Sequence, residues 1–233
     1  MKKEQTPKPL HRPTHKRWPL WLAFGFALLL MGWWEWGAWS SRQSSTPAAA
    51  ALDVPAGAEV AILAGGCFWC TEADFDKVPG VLGTTSGYTG GKTANPSYAE
   101  VSSHATGHAE AVRIVFDPKQ VSYPQLLAIY WRSIDPTVRD RQFCDIGTPY
   151  RTAIFATSAQ QLQQAKDSLA ELQTSKPFAE PIQTQIQLAS DFYPAEPEHQ
   201  NYHQVNPVRY EFYRKSCGRD ARLAQLWGAP AAR

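Results

Sequence analysis

The chain has 233 residues, enough for one or two domains, and a net charge of +2 from 23 basic and 21 acidic side chains. The charge is uneven, because the first 17 residues carry +5 and the remaining 216 therefore carry −3. A nucleic-acid-binding domain would have a basic surface, so we predict that the chain binds no nucleic acid.

The N-terminal segment indicates a membrane anchor. Residues 18–34 are an uncharged run of 17 residues, which as a helix would span about 25 Å, near the lower limit for a bilayer. Basic residues precede the run and a tryptophan cluster follows it, so residues 1–17 are predicted to be a basic cytoplasmic tail. Residues 18–39 are predicted to be an uncleaved transmembrane signal anchor, with a cleaved signal peptide as the alternative.

This topology predicts a location. We expect a single-pass protein of the bacterial inner membrane whose main domain lies in the periplasm, and signal cleavage would instead release that domain into the periplasm. Residues 40–58 are rich in Ser, Ala and Pro and are predicted to be a flexible linker. Residues 59–233 form one compact domain that is long enough to bury its own core.

The elements of this domain follow from its apolar patterns and turn residues. Strands are predicted at 59–64, 80–87, 111–116, 151–156 and 182–188. Helices are predicted after Cys67, Ser122 and Ser158, and a short one at 219–227; both serines are followed three residues later by Gln, a capping-box pattern. Residues 88–108 are too polar for the core and are predicted to be a long loop.

This order of elements predicts an α/β (α+β) fold. We expect a two-layer sandwich in which a mixed β-sheet has flanking helices, with a ferredoxin-like core and a long irregular C-terminal tail.

Cys67 begins the first predicted helix, within the sequence GCFWC of residues 66–70. Backbone N–H groups and the positive end of the helix dipole meet there, so we expect a lowered thiol pKa and a reactive cysteine. Phe68 and Trp69 would add an apolar wall. A buried structural cysteine beside core aromatics is the alternative from these residues alone.

Six ordered motifs make the chain similar to one family. They are GGCFW at 65–69, GYTGG at 87–91, NPSY at 95–98, GHAEAV at 107–112, DPT at 135–137 and DIGTPYR at 145–151. Together they resemble the A-type peptide-methionine sulfoxide reductases, which reduce the S epimer of methionine sulfoxide. The resemblance covers residues 60–227, so residues 59–233 are predicted to be a methionine sulfoxide reductase catalytic domain.

The resemblance implies a role for each matching residue. Cys67 would attack the sulfoxide sulfur and become a sulfenic acid, while Glu110 would supply a proton to the oxygen. Tyr98 and Tyr150 would hydrogen-bond that oxygen. Asp145 would orient the site and the substrate. Phe68 and Trp69 would hold the substrate methyl group and select one epimer.

The sulfenic acid must next condense with a second thiol, the resolving cysteine. Cys217 is the predicted resolving cysteine, with Cys70 and Cys144 as alternatives. We expect no bound cofactor and no metal, but an external thioredoxin-like reductant or dithiol. The expected substrates are proteins that contain oxidised methionine, and the enzyme is predicted to be a monomer.

Two other classes of protein compete with this interpretation. Cys67-x-x-Cys70 also fits a membrane-tethered thiol–disulfide oxidoreductase. However, no thioredoxin-like pattern follows it, and the set of Glu110, Tyr98, Tyr150 and Asp145 would have no purpose. A non-catalytic periplasmic binding module would leave the thiol at the helix start unexplained.

Overall fold

The computed structural model describes residues 52–228, in which a six-stranded sheet has the order β7-β6-β1-β3-β2-β8. Its strands are β1 (Glu59–Gly65), β2 (Val81–Thr89), β3 (Ala109–Phe116), β6 (Thr152–Ala156), β7 (Gln185–Leu188) and β8 (Phe192–Pro194). Only β6 and β7 pair in parallel, so the sheet is mixed as predicted. A separate hairpin pairs β4 (Arg141–Gln142) with β5 (Asp145–Ile146).

Seven α-helices accompany these strands within residues 52–228. They are α1 (Phe68–Phe75), α2 (Tyr98–Ser102), α3 (Tyr123–Ser133), α4 (Ala159–Ser175), α5 (Tyr202–Val205), α6 (Pro207–Ser216) and α7 (Arg219–Trp227). Single 3₁₀ turns lie at Thr148–Tyr150 and Pro197–His199.

The elements β1-α1-β2-β3-α3-β6 form the core, and their strands lie in the order β6-β1-β3-β2. A βαββαβ unit with this arrangement is ferredoxin-like, which confirms the predicted fold class. Side chains alternate between the two faces of each strand. Leu63 and Ile114 pack in the cluster that contains Leu127 of α3, whereas Ile62 and Phe155 pack on the opposite face.

The predicted helix starts are confirmed. The Ser122 side chain accepts the Gln125 N–H and Gln125 reaches back to Ser122, and the Ser158 side chain accepts the Gln161 N–H. Each cap contributes about 1 kcal/mol to stability. These caps fix the starts of α3 and α4.

Three predicted segments differ in detail from the structure. The loop at 88–108 contains α2, which a capping box of Ser97 and Glu100 begins. The strand expected at 182–188 starts only at Gln185. The tail is less irregular than predicted, since α5 and α6 precede the expected helix at Arg219–Trp227.

The N-terminal predictions lie mostly outside the described residues. The tail at 1–17, the anchor at 18–39 and most of the linker at 40–58 fall in residues 1–51, and residues 229–233 are also outside. Among residues 52–228, no helix has the length and apolar character needed to cross a bilayer.

Candidate functional site

Cys67 occupies the N-cap position of α1, at the end of β1. Its backbone is non-helical, with φ −50° and ψ 120°, while its carbonyl accepts the N–H groups of Cys70 and Thr71. Gly66 has φ +84°, and a Cβ there would lie 2.5 Å from the Gln142 side chain. The left-handed turn and the close approach of Gln142 therefore require glycine immediately before Cys67.

Glu110 lies on β3 and is 2% exposed. Its Oε2 accepts the backbone N–H of Phe68 at 2.9 Å, which places the carboxyl group beside the first turn of α1. Burial, with a smaller contribution from the nearby Asp145 and Cys70, raises the pKa of Glu110 to about 8, although the Phe68 N–H opposes this shift. Glu110 therefore carries a proton at neutral pH and can donate it.

The thiols of Cys67 and Cys70 are both buried. Burial, Cys70 and the Glu110 carboxyl raise the pKa of Cys67, so the prediction of a lowered pKa at this helix start is wrong. The interaction with Cys67 and the charges of Arg219 and Arg214 lower the pKa of Cys70, against the opposing effect of its burial.

The two predicted phenols lie in the same site. Tyr98 is the first residue of α2, and Tyr150 ends the 3₁₀ turn that follows β5. Burial raises the pKa of both phenols, and the charges of Glu110, Asp145 and Cys67 raise each of them further. The structure thus brings the five predicted catalytic residues close enough to affect one another's pKa values; they are Cys67, Tyr98, Glu110, Asp145 and Tyr150. Both phenols stay protonated and can donate hydrogen bonds.

Tyr213 of α6 is a site residue that the sequence did not single out. Its hydroxyl donates to Asp145 Oδ2 at 2.5 Å. Burial raises the pKa of Asp145, while this hydrogen bond opposes the shift. The tyrosine-rich tail gave no pattern that distinguishes Tyr213 from its neighbours.

Phe68 and Trp69 form an aromatic wall with the C-terminal segment. The Trp69 ring stacks on Tyr202 at 3.8 Å and 7°. Trp69 Nε1 donates to His199 Nδ1 at 3.2 Å, and the His199 ring lies 4.4 Å from that of Tyr98. Burial lowers the pKa of His199, so this histidine is neutral and positions the indole.

Cys144 and Cys217 form a disulfide with a Cα–Cα distance of 4.9 Å, which joins the β4–β5 hairpin to the end of α6. Cys67 and Cys70 are free thiols. Ligand atoms of Cys144, Asp145 and Cys217 lie within 4.8 Å of one another, but the disulfide leaves neither sulfur as a thiolate for a metal. Cys217 is therefore not available to Cys67 until this disulfide is reduced.

Comparison with known proteins identifies the family. The family model described as peptide methionine sulfoxide reductase matches residues 59–231. MsrA of Bacillus licheniformis is 51% identical over 170 residues, which cover 73% of this chain and 94% of that protein. The relatives carry the name of an oxidoreductase that acts on methionine sulfoxide, and the alternative of a tethered thiol–disulfide oxidoreductase receives no support.

Solved structures agree with this assignment. Methionine sulfoxide reductase A of Corynebacterium diphtheriae is 36% identical, with a TM-score of 0.60, and the match covers 66% of this chain and 77% of that one. The reduced form of Mxr1 from Saccharomyces cerevisiae is 30% identical, with a TM-score of 0.64, over 70% of this chain and 93% of that one. This chain belongs to the peptide methionine sulfoxide reductase family.

Proposed function

We propose that this enzyme reduces methionine-S-sulfoxide, both free and in oxidised proteins, with Cys67 as the nucleophile. The observation that carries the proposal is the buried carboxyl group of Glu110, which the Phe68 N–H holds beside the first turn of α1 and whose pKa burial raises to about 8. A sulfoxide oxygen leaves only when it is protonated or strongly hydrogen-bonded. The reaction therefore needs a nucleophile for the sulfur and a proton donor for the oxygen. Cys67 is the nucleophile, and the neutral carboxyl group of Glu110 is the proton donor.

The first step consumes one thiol and one sulfoxide. The sulfur of Cys67 attacks the sulfoxide sulfur, and Glu110 protonates the oxygen while Tyr98 and Tyr150 hydrogen-bond it. The bond between the substrate sulfur and its oxygen breaks, as does the bond between Cys67 and the substrate sulfur, so the oxygen passes as a hydroxyl group to Cys67 and methionine leaves. Cys67 becomes a sulfenic acid, and the proton lost from its thiol replaces the one that Glu110 donated. Asp145, held by Tyr213, orients the site and the substrate.

The aromatic wall accounts for the choice of epimer. Phe68 and Trp69 would receive the substrate methyl group, because an apolar group gains free energy by leaving water for such a surface. Trp69 is fixed by Tyr202 and His199, so the pocket is rigid. With the oxygen directed toward Glu110 and the methyl group in this pocket, one configuration at sulfur is preferred.

The sulfenic acid is then resolved by a thiol. Cys217 stays a prediction for this role, and it can act only after its bond to Cys144 has been reduced. Because Cys70 is a free thiol in the first turn of the helix that Cys67 caps, we expect it to condense first, giving a Cys67–Cys70 disulfide and water. An external thioredoxin-like dithiol would reduce the disulfide, so the cycle needs no bound cofactor.

The test is turnover of the two epimers of a methionine sulfoxide peptide with dithiothreitol as the reductant. We expect methionine from the S epimer and none from the R epimer, and Cys67→Ser should be inactive. Reduction of neither epimer, or of the R epimer alone, would refute the proposal. Thiol–disulfide exchange activity without sulfoxide reduction would favour the alternative enzyme.

We also propose that residues 18–39 anchor the enzyme in the bacterial inner membrane, with the catalytic domain in the periplasm. The uncharged run and its basic N-terminal flank support this topology. The Cys144–Cys217 disulfide is compatible with an oxidising compartment. We expect the protein in the membrane fraction to have the mass of the full-length chain. A soluble periplasmic form that starts near residue 40 would contradict the anchor.

A further inference from the structure

The Cys144–Cys217 disulfide lies against a residue of the candidate site. Cys144 immediately precedes Asp145 at the tip of the β4–β5 hairpin, and Cys217 is the C-cap of α6. The Cys144 Sγ lies 3.9 Å from Asp145 Oδ1, and the Cys217 Sγ lies 4.0 Å from Asp145 Oδ2. Each oxygen of this carboxyl group therefore has one sulfur of the disulfide beside it.

Two hydrogen bonds join the same two segments. The Tyr213 hydroxyl donates to Asp145 Oδ2 at 2.5 Å, and the Cys144 N–H donates to the Cys217 sulfur at 3.2 Å. Tyr213 and Cys217 are four residues apart at the end of α6, so they lie on the same face of the helix. The covalent bond and the Tyr213 hydroxyl therefore hold Asp145 from one helix face.

The tip of this hairpin depends on the C-terminal segment for its position. The hairpin has two residue pairs, which are too few to be stable alone. Gln142 ties its base to the backbone of Asp135 at 2.9 and 2.7 Å. At the tip, however, Phe143 has φ +53°, which is unfavourable for a residue with a side chain. The Arg219 guanidinium group lies over the Phe143 ring at 4.6 Å, so this contact also comes from the C-terminal segment.

The disulfide is accessible to a reductant, and the chemistry of the first turnover uses neither of its sulfurs. Cys144 is exposed and Cys217 is half-buried, whereas Cys67 and Cys70 are buried free thiols. Attack on the sulfoxide uses Cys67, and a resolving thiol acts only after methionine has left. An effect of the Cys144–Cys217 bond on the first turnover must therefore come from the geometry that it imposes.

We propose that the Cys144–Cys217 disulfide is a positioning element of the active site, which holds Asp145 and Tyr213 in the arrangement that the first turnover requires. This proposal rests on the proposed function and is separate from any part of Cys217 in recycling. A thioredoxin-like dithiol would transfer two electrons and two protons to the bond, which becomes two thiols while the dithiol becomes a disulfide. The hairpin is then no longer joined to α6, and the reaction slows.

The test compares two redox forms of the full-length protein in a single turnover at a saturating concentration of the S epimer. One form keeps the disulfide, and the other is treated with dithiothreitol, which is removed under nitrogen before the reaction. We expect the reduced form to release its first equivalent of methionine roughly 10–10²-fold more slowly, because displacing a group of the site by about 1 Å can cost about 10²-fold. Equal rates would overturn the proposal.

Cys144→Ser is the matched control, because it cannot form the bond. It should react at the slow rate with or without the dithiothreitol treatment, and a change of its rate on treatment would contradict the assignment to this disulfide. Failure of the proposed function gives a different result, since neither redox form of the unmodified enzyme would then release methionine.

Asp145→Asn tests whether the disulfide acts through Asp145. Effects that pass through one shared group do not multiply, so reduction should slow the first turnover of this variant less than about twofold. The same loss on reduction in Asp145→Asn as in the unmodified enzyme would show that the bond acts elsewhere, and would overturn the proposal.

Two further measurements separate positioning from a general loss of structure. Near-UV circular dichroism should keep its native signal on reduction, and loss of that signal would make the bond a requirement for folding and overturn the proposal. Arg222→Gln loosens the same C-terminal segment at another point, where Arg222 pairs with Asp135 at 2.7 Å. It should leave the first-turnover rate unchanged, whereas a loss as large as that on reduction would contradict a specific role of the disulfide.

Discussion

Replacing Glu110 with Gln tests whether Glu110 is the proton donor. The substitution should lower the activity but raise the stability of the folded protein. Gln is nearly isosteric, and its amide oxygen can still accept the Phe68 N–H that Glu110 accepts at 2.9 Å. The change therefore removes the proton without removing the contact. With a pKa of about 8 for Glu110, roughly 90% of the enzyme carries this proton at pH 7.

The loss of activity should be large. General acid catalysis contributes about 10²–10⁴-fold, so we expect single-turnover reduction of the S epimer to slow by this factor in Glu110→Gln. In the unmodified enzyme the rate should also fall about tenfold per pH unit above pH 8, because the acid is then ionised. Glu110→Gln should lose this alkaline limb.

The stability effect follows from the raised pKa. Burial raises the pKa of Glu110 from 4.5 to about 8, so the folded state binds the proton more tightly and stability falls as pH rises between these values. At pH 7 this costs about 3 kcal/mol relative to the fully protonated state. Glu110→Gln should therefore become more stable than the unmodified enzyme as pH rises from 4.5 to 8.

The assay is urea unfolding at pH 5 and pH 8, together with the single-turnover rate across the same range. The two proteins should be closest in stability at pH 5, with Glu110→Gln the more stable at pH 8. A variant that keeps its rate and its alkaline limb would move the proton source to Tyr98 or Tyr150. A variant with no gain in relative stability at pH 8 would refute the assignment of a neutral buried carboxyl group.

Cys67→Ser should abolish methionine release, since a hydroxyl group is far less nucleophilic than a thiol, and any residual release detected by mass spectrometry would contradict the assignment. Tyr150→Phe removes one donor to the oxygen and should slow the single turnover on the order of 10²-fold; an unchanged rate would remove it from the site. Peptide mapping of Cys217→Ser after one turnover should find a Cys67–Cys70 disulfide, whereas a dimedone-trapped sulfenic acid would assign the resolving role to Cys217. A reporter that is active only outside the cytoplasm, fused after Trp227, should give signal, and a silent fusion would argue against the predicted topology.

The central sheet and its helices were predictable because their patterns are local. Alternation in β3 and the serine caps of α3 and α4 depend on residues close together in the chain. Helix α6 was missed because its apolar pattern does not mark the buried face. Val208 and Phe212 are exposed on α6 while Tyr210 is buried, which reverses the usual pattern of an amphipathic surface helix.

The disulfide was beyond the reach of local patterns. Cys144 and Cys217 are 73 residues apart, and four cysteines allow three ways of forming two disulfides. The β4–β5 hairpin that presents Cys144 has strands of only two residues, which leave no periodic signal. The family resemblance favoured Cys217 by its place in the tail, but the approach of α6 to this hairpin depends on the tertiary fold.

The thiol pair shows why a correct local prediction led to a wrong pKa. The sequence predicts a helix that begins at Cys67, and the structure has this helix start. The pKa of Cys67, however, depends first on its burial and then on its neighbours Cys70 and Glu110. The burial that folding imposes on Cys67 outweighs the helix dipole, whose typical contribution is only about 0.3–1 kcal/mol.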